Sequence, residues 1–200
     1  MAITYHLVFG CYGFWLPNDP RRSWSRYVGS RKLLFFGKAT TVNTHHSLAH
    51  DVHDHEHRLA AKNSLKYPPV KFNGHQALDV IHGIELARVQ SRYQIFALCV
   101  MPDHVHTVIA VHENDPKRII GHLKSKATQR LTEEGRHPLL RGPDREAPTP
   151  WTRGGWCVYL DNDEEVKRAI DYVDQNPVKE GLRRQNWSFI DPYPPLPPPF

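Results

Sequence analysis

Two β-prone runs, 93–100 (YQIFALCV) and 104–111 (HVHTVIAV), are separated only by Met101-Pro102-Asp103. A connection that short leaves no room for a crossover helix, so the two runs are expected side by side as antiparallel strands. Within the second run His104 and His106 flank Val105. Strand side chains alternate faces, so both imidazoles project to one side while Val105 enters the core.

The other elements fall around this hairpin. Residues 3–10 (ITYHLVFG) read as a first strand, followed by a loop rich in aromatics and arginine, YGFWLPNDPRRSWS. Residues 38–72 lack a clean period, carry many histidines and end in Tyr67-Pro68-Pro69; they read as an insertion or arm. Between 74 and 90, Ala77, Val80, Ile81 and Ile84 form a helical apolar stripe. Asp115 and Pro116 open a second helix with Ile119, Ile120, Leu123, Ala127 and Leu131 on its core face, ending near Gly135. A short strand at 156–160 follows a proline-rich loop. Asn162 or Asp163 then caps a last helix, with Val166, Ala169, Ile170 and Val173 buried and Pro177 as its expected stop. The order β, α, β-β, α, β, α implies one α+β domain over 1–190, with helices on an antiparallel sheet. The remaining 191–200 form a proline-rich tail of extended, polyproline character.

Composition narrows the class. With 40% hydrophobic residues the chain can build a core, and no stretch approaches the roughly 20 apolar residues of a membrane span. The start lacks a basic region and cleavage site, so a soluble, cytoplasmic protein without membrane contacts is expected. Cys11, Cys99 and Cys157 are scattered and form no C-x-x-C pair, which argues against a disulfide framework or zinc–thiolate site. A net charge of +5 permits nucleic-acid binding.

Two constellations carry chemistry. His104 and His106, on one face of an otherwise apolar strand, can chelate a divalent ion, and burying them is costly unless they have partners. His53, His55 and His57 give two further H-x-H pairs, but in a polar stretch without strand alternation, and read as solvated. Tyr172 and Asn176 are four apart on the last helix and share a face. A tyrosine is a poor nucleophile at neutral pH. A Mg²⁺ or Mn²⁺ ion on the histidine pair would polarise a phosphate beside it. Asn176 would complete the coordination or orient the tyrosine. Lys117, Arg118, Lys124, Lys126 and Arg130 stud the helix after the histidine strand, and Arg21, Arg22 and Arg26 sit among Trp15, Trp24 and Tyr27. Cations beside stacking aromatics suit single-stranded DNA, with Arg21, Arg22, Trp24 and Arg26 as the contacts of the early loop.

The set M-P-D-H-V-H, a basic helix, then Y-V-D-Q-N-P-V-K-E-G-L resembles the single-tyrosine HUH transposases, IS200-like, and within them the REP-associated tyrosine transposases. The early YGFWLPNDPRRSWS and late NWSF segments resemble that branch too. The resemblance implies a ferredoxin-like sheet, His104 and His106 as metal ligands, Tyr172 as nucleophile and Asn176 as third ligand. Insertion-sequence members often carry Gln where this chain has Asn176. The implied partner is single-stranded or hairpin DNA, at the nucleoid. Insertion-sequence relatives are dimers and the REP-associated branch monomeric, leaving monomer or homodimer open. Two rivals from other classes stand beside this reading: a domesticated, catalytically silent hairpin-binding protein, and a structural nucleic-acid protein in which Tyr172 is dispensable. A histidine-triad hydrolase is excluded because Val108 stands where its third histidine would be.

Overall fold

The hairpin forms as expected. In a computed structural model that describes residues 3–17, 28, 31–37, 54–139 and 147–194, β2 (Ile95–Val100) and β3 (His104–Ala110) pair antiparallel. Strand β1 (Thr4–Gly10) pairs antiparallel with β3 on one side and with β4 (Trp156–Leu160) on the other. The sheet order is therefore β2-β3-β1-β4, with every neighbour antiparallel. This is the α+β, ferredoxin-like arrangement.

Helices cover the two faces unequally. Helices α2 (Gly74–Ser91) and α3 (Pro116–Glu133) pack together on the face that receives Leu7, Phe9, Val105 and Ile109, all fully buried. They approach closely at Gly83, where a Cβ would lie 2.5 Å from the Ala127 backbone. The opposite face is covered by α4 (Asp163–Lys179), whose Val166, Ala169 and Val173 meet Ala97, Cys99 and Val108 in a second, smaller core. Cap residues set the helix starts: Asn73 and Gln76 form a reciprocal capping box, Asp115 accepts from the Arg118 N–H, and Asn162 accepts from the Glu165 N–H.

After α4 the chain runs along the β2 edge of the sheet. The Gln185 amide pairs with both backbone groups of Val100 at 2.9 and 2.8 Å, and Asp191 takes the Ile95 N–H at 3.0 Å. Side chains thus occupy hydrogen-bonding positions that an incoming strand would use. The segment then returns to α4, where the Tyr193 hydroxyl donates to Asp163 at 2.6 Å.

Two expectations need correction. The stretch 38–72, read as an insertion or arm, is partly built into the fold. Residues 55–63 form helix α1 (His55–Asn63), capped by Asp54, and Val70 and Phe72 are buried in the main core. Only Ala61 of α1 is buried, so the helix leaves almost no apolar period in the sequence. Residues 38–53 lie outside the described residues. Nor does Pro177 end α4. A proline near a helix end removes one N–H without breaking the last turn, and α4 continues to Lys179. The stop is Gly181, whose φ of +73° is the left-handed conformation that glycine adopts freely. The tail residues 195–200 lie outside the described residues.

Candidate active site

Alternation along β1 and β3 brings the histidines of both strands to the face of α4. On β3 these are His104 and His106; on β1 the same face carries Thr4, His6, Val8 and Gly10. Gly10 stands opposite His104 in the register. A Cβ there would lie 2.6 Å from the Phe14 ring, so only glycine lets that ring lie over the strand, where it stacks on His104 at 4.8 Å.

Tyr172 reaches the pair from α4. Its ring is edge-on to His106, with centroids 5.6 Å apart, and lies 5.9 Å from His6. The residue remains 44% exposed, so solvent or substrate can approach it while one side of the ring packs on the histidines. Burial raises the phenol above its ordinary value of 10.0, and the Lys179 ammonium stands 5.4 Å from the ring centroid. Asn176, one turn further along, is buried, and its side-chain amide makes no hydrogen bond to another described residue.

The two imidazoles are held in parallel fashion. His104 Nδ1 lies 2.8 Å from the Asp103 carboxylate, and His106 Nδ1 lies 3.1 Å from His6 Nε2. Both Nε2 atoms are left without a hydrogen bond to any described residue. Burial holds His6 at about 4 and pushes His106 well below 6.5, His104 and His6 adding to the effect on the latter. These rings are therefore neutral at physiological pH, the form that binds metals.

Such a pair fits a divalent ion. Metal-binding histidines typically donate the other ring N–H to a carboxylate or another acceptor, and both rings here have that partner. Among the described residues no three His, Cys, Asp or Glu side chains are arranged to hold an ion. Further donors would have to be the Asn176 amide, water or substrate oxygens, a mixed nitrogen and oxygen set compatible with Mn²⁺ or Mg²⁺.

Sequence reasoning missed two residues of this site, His6 and Asp103. His6 interrupts an otherwise apolar strand, which is the signal that singled out His104 and His106, but it lacks a partner at close spacing. The described residues proposed for DNA contact all lie on α3 and do not join Tyr172 and the histidines. Arg21, Arg22, Trp24 and Arg26 lie outside the described residues. Helix α3 covers the face of the sheet opposite Tyr172, and its exposed Lys117 and Arg118 lie at its start. Lys126 bonds Gln129 at 3.2 Å, and Arg130 is paired with Glu134 at 2.5 Å and Glu133 at 3.8 Å. Lys124 turns inward, donating to the carbonyls of Thr152 and Gly154 with its ammonium 5.6 Å from the Phe9 ring centroid.

The sheet thus sets a paired-histidine strand opposite a helix-borne tyrosine. The model of the family described as "Transposase IS200 like" matches residues 65–176, more than half of the sequence, and the chain belongs to that family. Over 91 residues it is 30% identical to a protein of Haemophilus influenzae described as a REP-associated tyrosine transposase, covering 44% of this chain. The match spans 52%, about half, of that relative's length. Among solved structures, it is similar to a REP-associated tyrosine transposase bound to a REP hairpin, at 15% identity and a TM-score of 0.48, covering 94% of this chain and 75% of the other. It is also similar to a transposase from Deinococcus radiodurans, at 14% identity and a TM-score of 0.39, covering 88% and 91%. The family assignment rests on the sequence match. No helix among the described residues is long and apolar enough to cross a membrane.

Proposed function

We propose that this protein is a metal-dependent endonuclease and strand transferase acting on single-stranded or hairpin DNA, with Tyr172 as the nucleophile. The observation that carries the reading is the packing of the Tyr172 ring against His106, 5.6 Å between centroids, on the face that also holds His104.

The Tyr172 hydroxyl attacks the scissile phosphorus. A new O–P bond forms as the bond to one sugar oxygen breaks, the phenolic proton passes to solvent, and the leaving sugar oxygen takes a proton from solvent to become a hydroxyl. One phosphodiester is exchanged for another, so the broken bond's energy is kept and the end can be rejoined to a second strand. When bound, a Mg²⁺ or Mn²⁺ ion supplies charge neutralisation at the phosphate. His104 and His106 would hold it through Nε2, and Asn176 through its amide oxygen. Asp103 orients His104. Burial makes the Tyr172 proton harder to remove, and the Lys179 ammonium lies over the ring at 5.4 Å from its centroid.

The test incubates the purified chain and labelled hairpin oligonucleotides with Mn²⁺ and reads a denaturing gel. A protein–DNA adduct is expected for the wild type, none for Tyr172→Phe, and none for His104→Ala. Tyr172→Phe should still bind the hairpin. A wild type that binds hairpin but forms no adduct would support a silent, domesticated binding protein instead.

A further inference from the structure

His6 belongs to no recognised motif, and it lies 100 positions from the residue it touches. In the β1–β3 register His6 faces Val108 and His106 faces Val8, which makes His6 and His106 diagonal neighbours on one face. At that separation long side chains still meet, and His6 Nε2 comes to 3.1 Å from His106 Nδ1, the rings stacked with centroids 5.3 Å apart. The same His6 ring meets Tyr172.

We infer that His6 is a positioning residue for His106: its Nε2 accepts the His106 Nδ1–H and thereby presents the His106 Nε2 lone pair to a divalent ion. The proton placement follows from the chemistry of a neutral imidazole, which has one donor and one acceptor nitrogen. Were His6 Nε2 the donor, His106 would carry its own proton on Nε2 and have no lone pair there. His6 in its Nδ1–H form leaves His106 free to bind. Asp103 performs the same service for His104, so the two ligands would be oriented by unlike groups, a carboxylate and an imidazole. Because His6 also packs on Tyr172, it would set the spacing between ligand and nucleophile. This inference rests on the metal-centred reading above.

The experiment uses the full chain. Mn²⁺ affinity is measured by electron paramagnetic resonance titration for the wild type, His104→Ala, His6→Leu and His6→Gln, with thermal midpoints of the metal-free proteins as the folding control. His6→Leu fills the space without an acceptor and is expected to bind Mn²⁺ about 10- to 100-fold more weakly, the usual effect of losing such a partner. His6→Gln restores an acceptor oxygen and should return affinity close to the wild type. Independently, nitrogen-edited NMR of the metal-free wild type should find His106 protonated on Nδ1, a reading that needs no variant to fold. Wild-type Mn²⁺ affinity in His6→Leu, or His106 protonated on Nε2, overturns the inference. If His104→Ala loses Mn²⁺ while His6→Leu keeps it, only the His6 role falls; if the wild type itself binds no Mn²⁺, the metal-centred reading falls with it.

Discussion

The two faces of the sheet are built from the same strands and do opposite things. Facing α2 and α3, β1 and β3 present Leu7, Phe9, Val105 and Ile109, all buried. Facing α4, the alternate residues of the same strands present His6, His104 and His106. One face therefore supplies most of the apolar burial that stabilises the fold, and the other is free to carry polar groups that need partners. A one-residue register slip would exchange the two sets, so the fold's stability and the geometry of the site depend on one alignment.

That contrast can be broken most forcefully by cutting into each face in turn. Ile109→Ala should destabilise the protein by about 2–5 kcal/mol through lost burial and a cavity, read as a shifted urea midpoint. His104→Ala, on the same strand but the opposite face, should leave that midpoint near the wild type while abolishing the DNA adduct. Equal destabilisation by both would dissolve the distinction between a structural and a chemical face.

The helical side of the structural face sharpens it further. Gly83→Ala places a methyl 2.5 Å from the Ala127 backbone and 2.6 Å from the Lys126 carbonyl oxygen, so α2 and α3 must separate, at a cost of about 1–3 kcal/mol. Gly121→Ala meets nothing within 4 Å and should be neutral or stabilise by up to about 1 kcal/mol through helix propensity. Thermal melts of the pair test the close approach directly.

Charge offers a subtler contrast. Lys179→Gln, beside Tyr172, should weaken hairpin binding and flatten its dependence on salt by about one counterion. Lys117→Ala at the start of α3, on the other side of the sheet, should do so less. A larger loss from Lys117→Ala would mean that DNA wraps onto the α3 side.

The smallest effect concerns Lys124. Burial pushes its amine down to about 8, below the roughly 10.4 of an unfolded chain. The unfolded state then binds more protons across that window, so the contribution to stability is present above the unfolded value and is lost as pH falls through about 8. Relative to Lys124→Met, wild-type stability should climb between about pH 8 and 10 in urea titrations.

Much of this was legible because alternation is local. The hairpin, the shared face of His104 and His106, and the caps Asp115 and Asn162 follow from neighbours in sequence, and the family resemblance follows from the same motifs. His6 was not legible, since its partner is on a strand 100 positions away and only the register joins them. Nor was the placement of the α3 cations. A run of lysines and arginines records the charge of a helix and not the face of the sheet it covers, and Lys124 proved to be directed at backbone carbonyls. Helix α1 escaped because one buried alanine makes no period.

The most direct test is the chemical identity of the attachment point. After incubation with hairpin DNA and Mn²⁺, nuclease and tryptic digestion followed by mass spectrometry should find a nucleotide phosphate on Tyr172, within the peptide spanning 169–179. A nucleotide on Tyr159 or any other residue, with the 169–179 peptide unmodified, would contradict the assignment of the nucleophile to the α4 face.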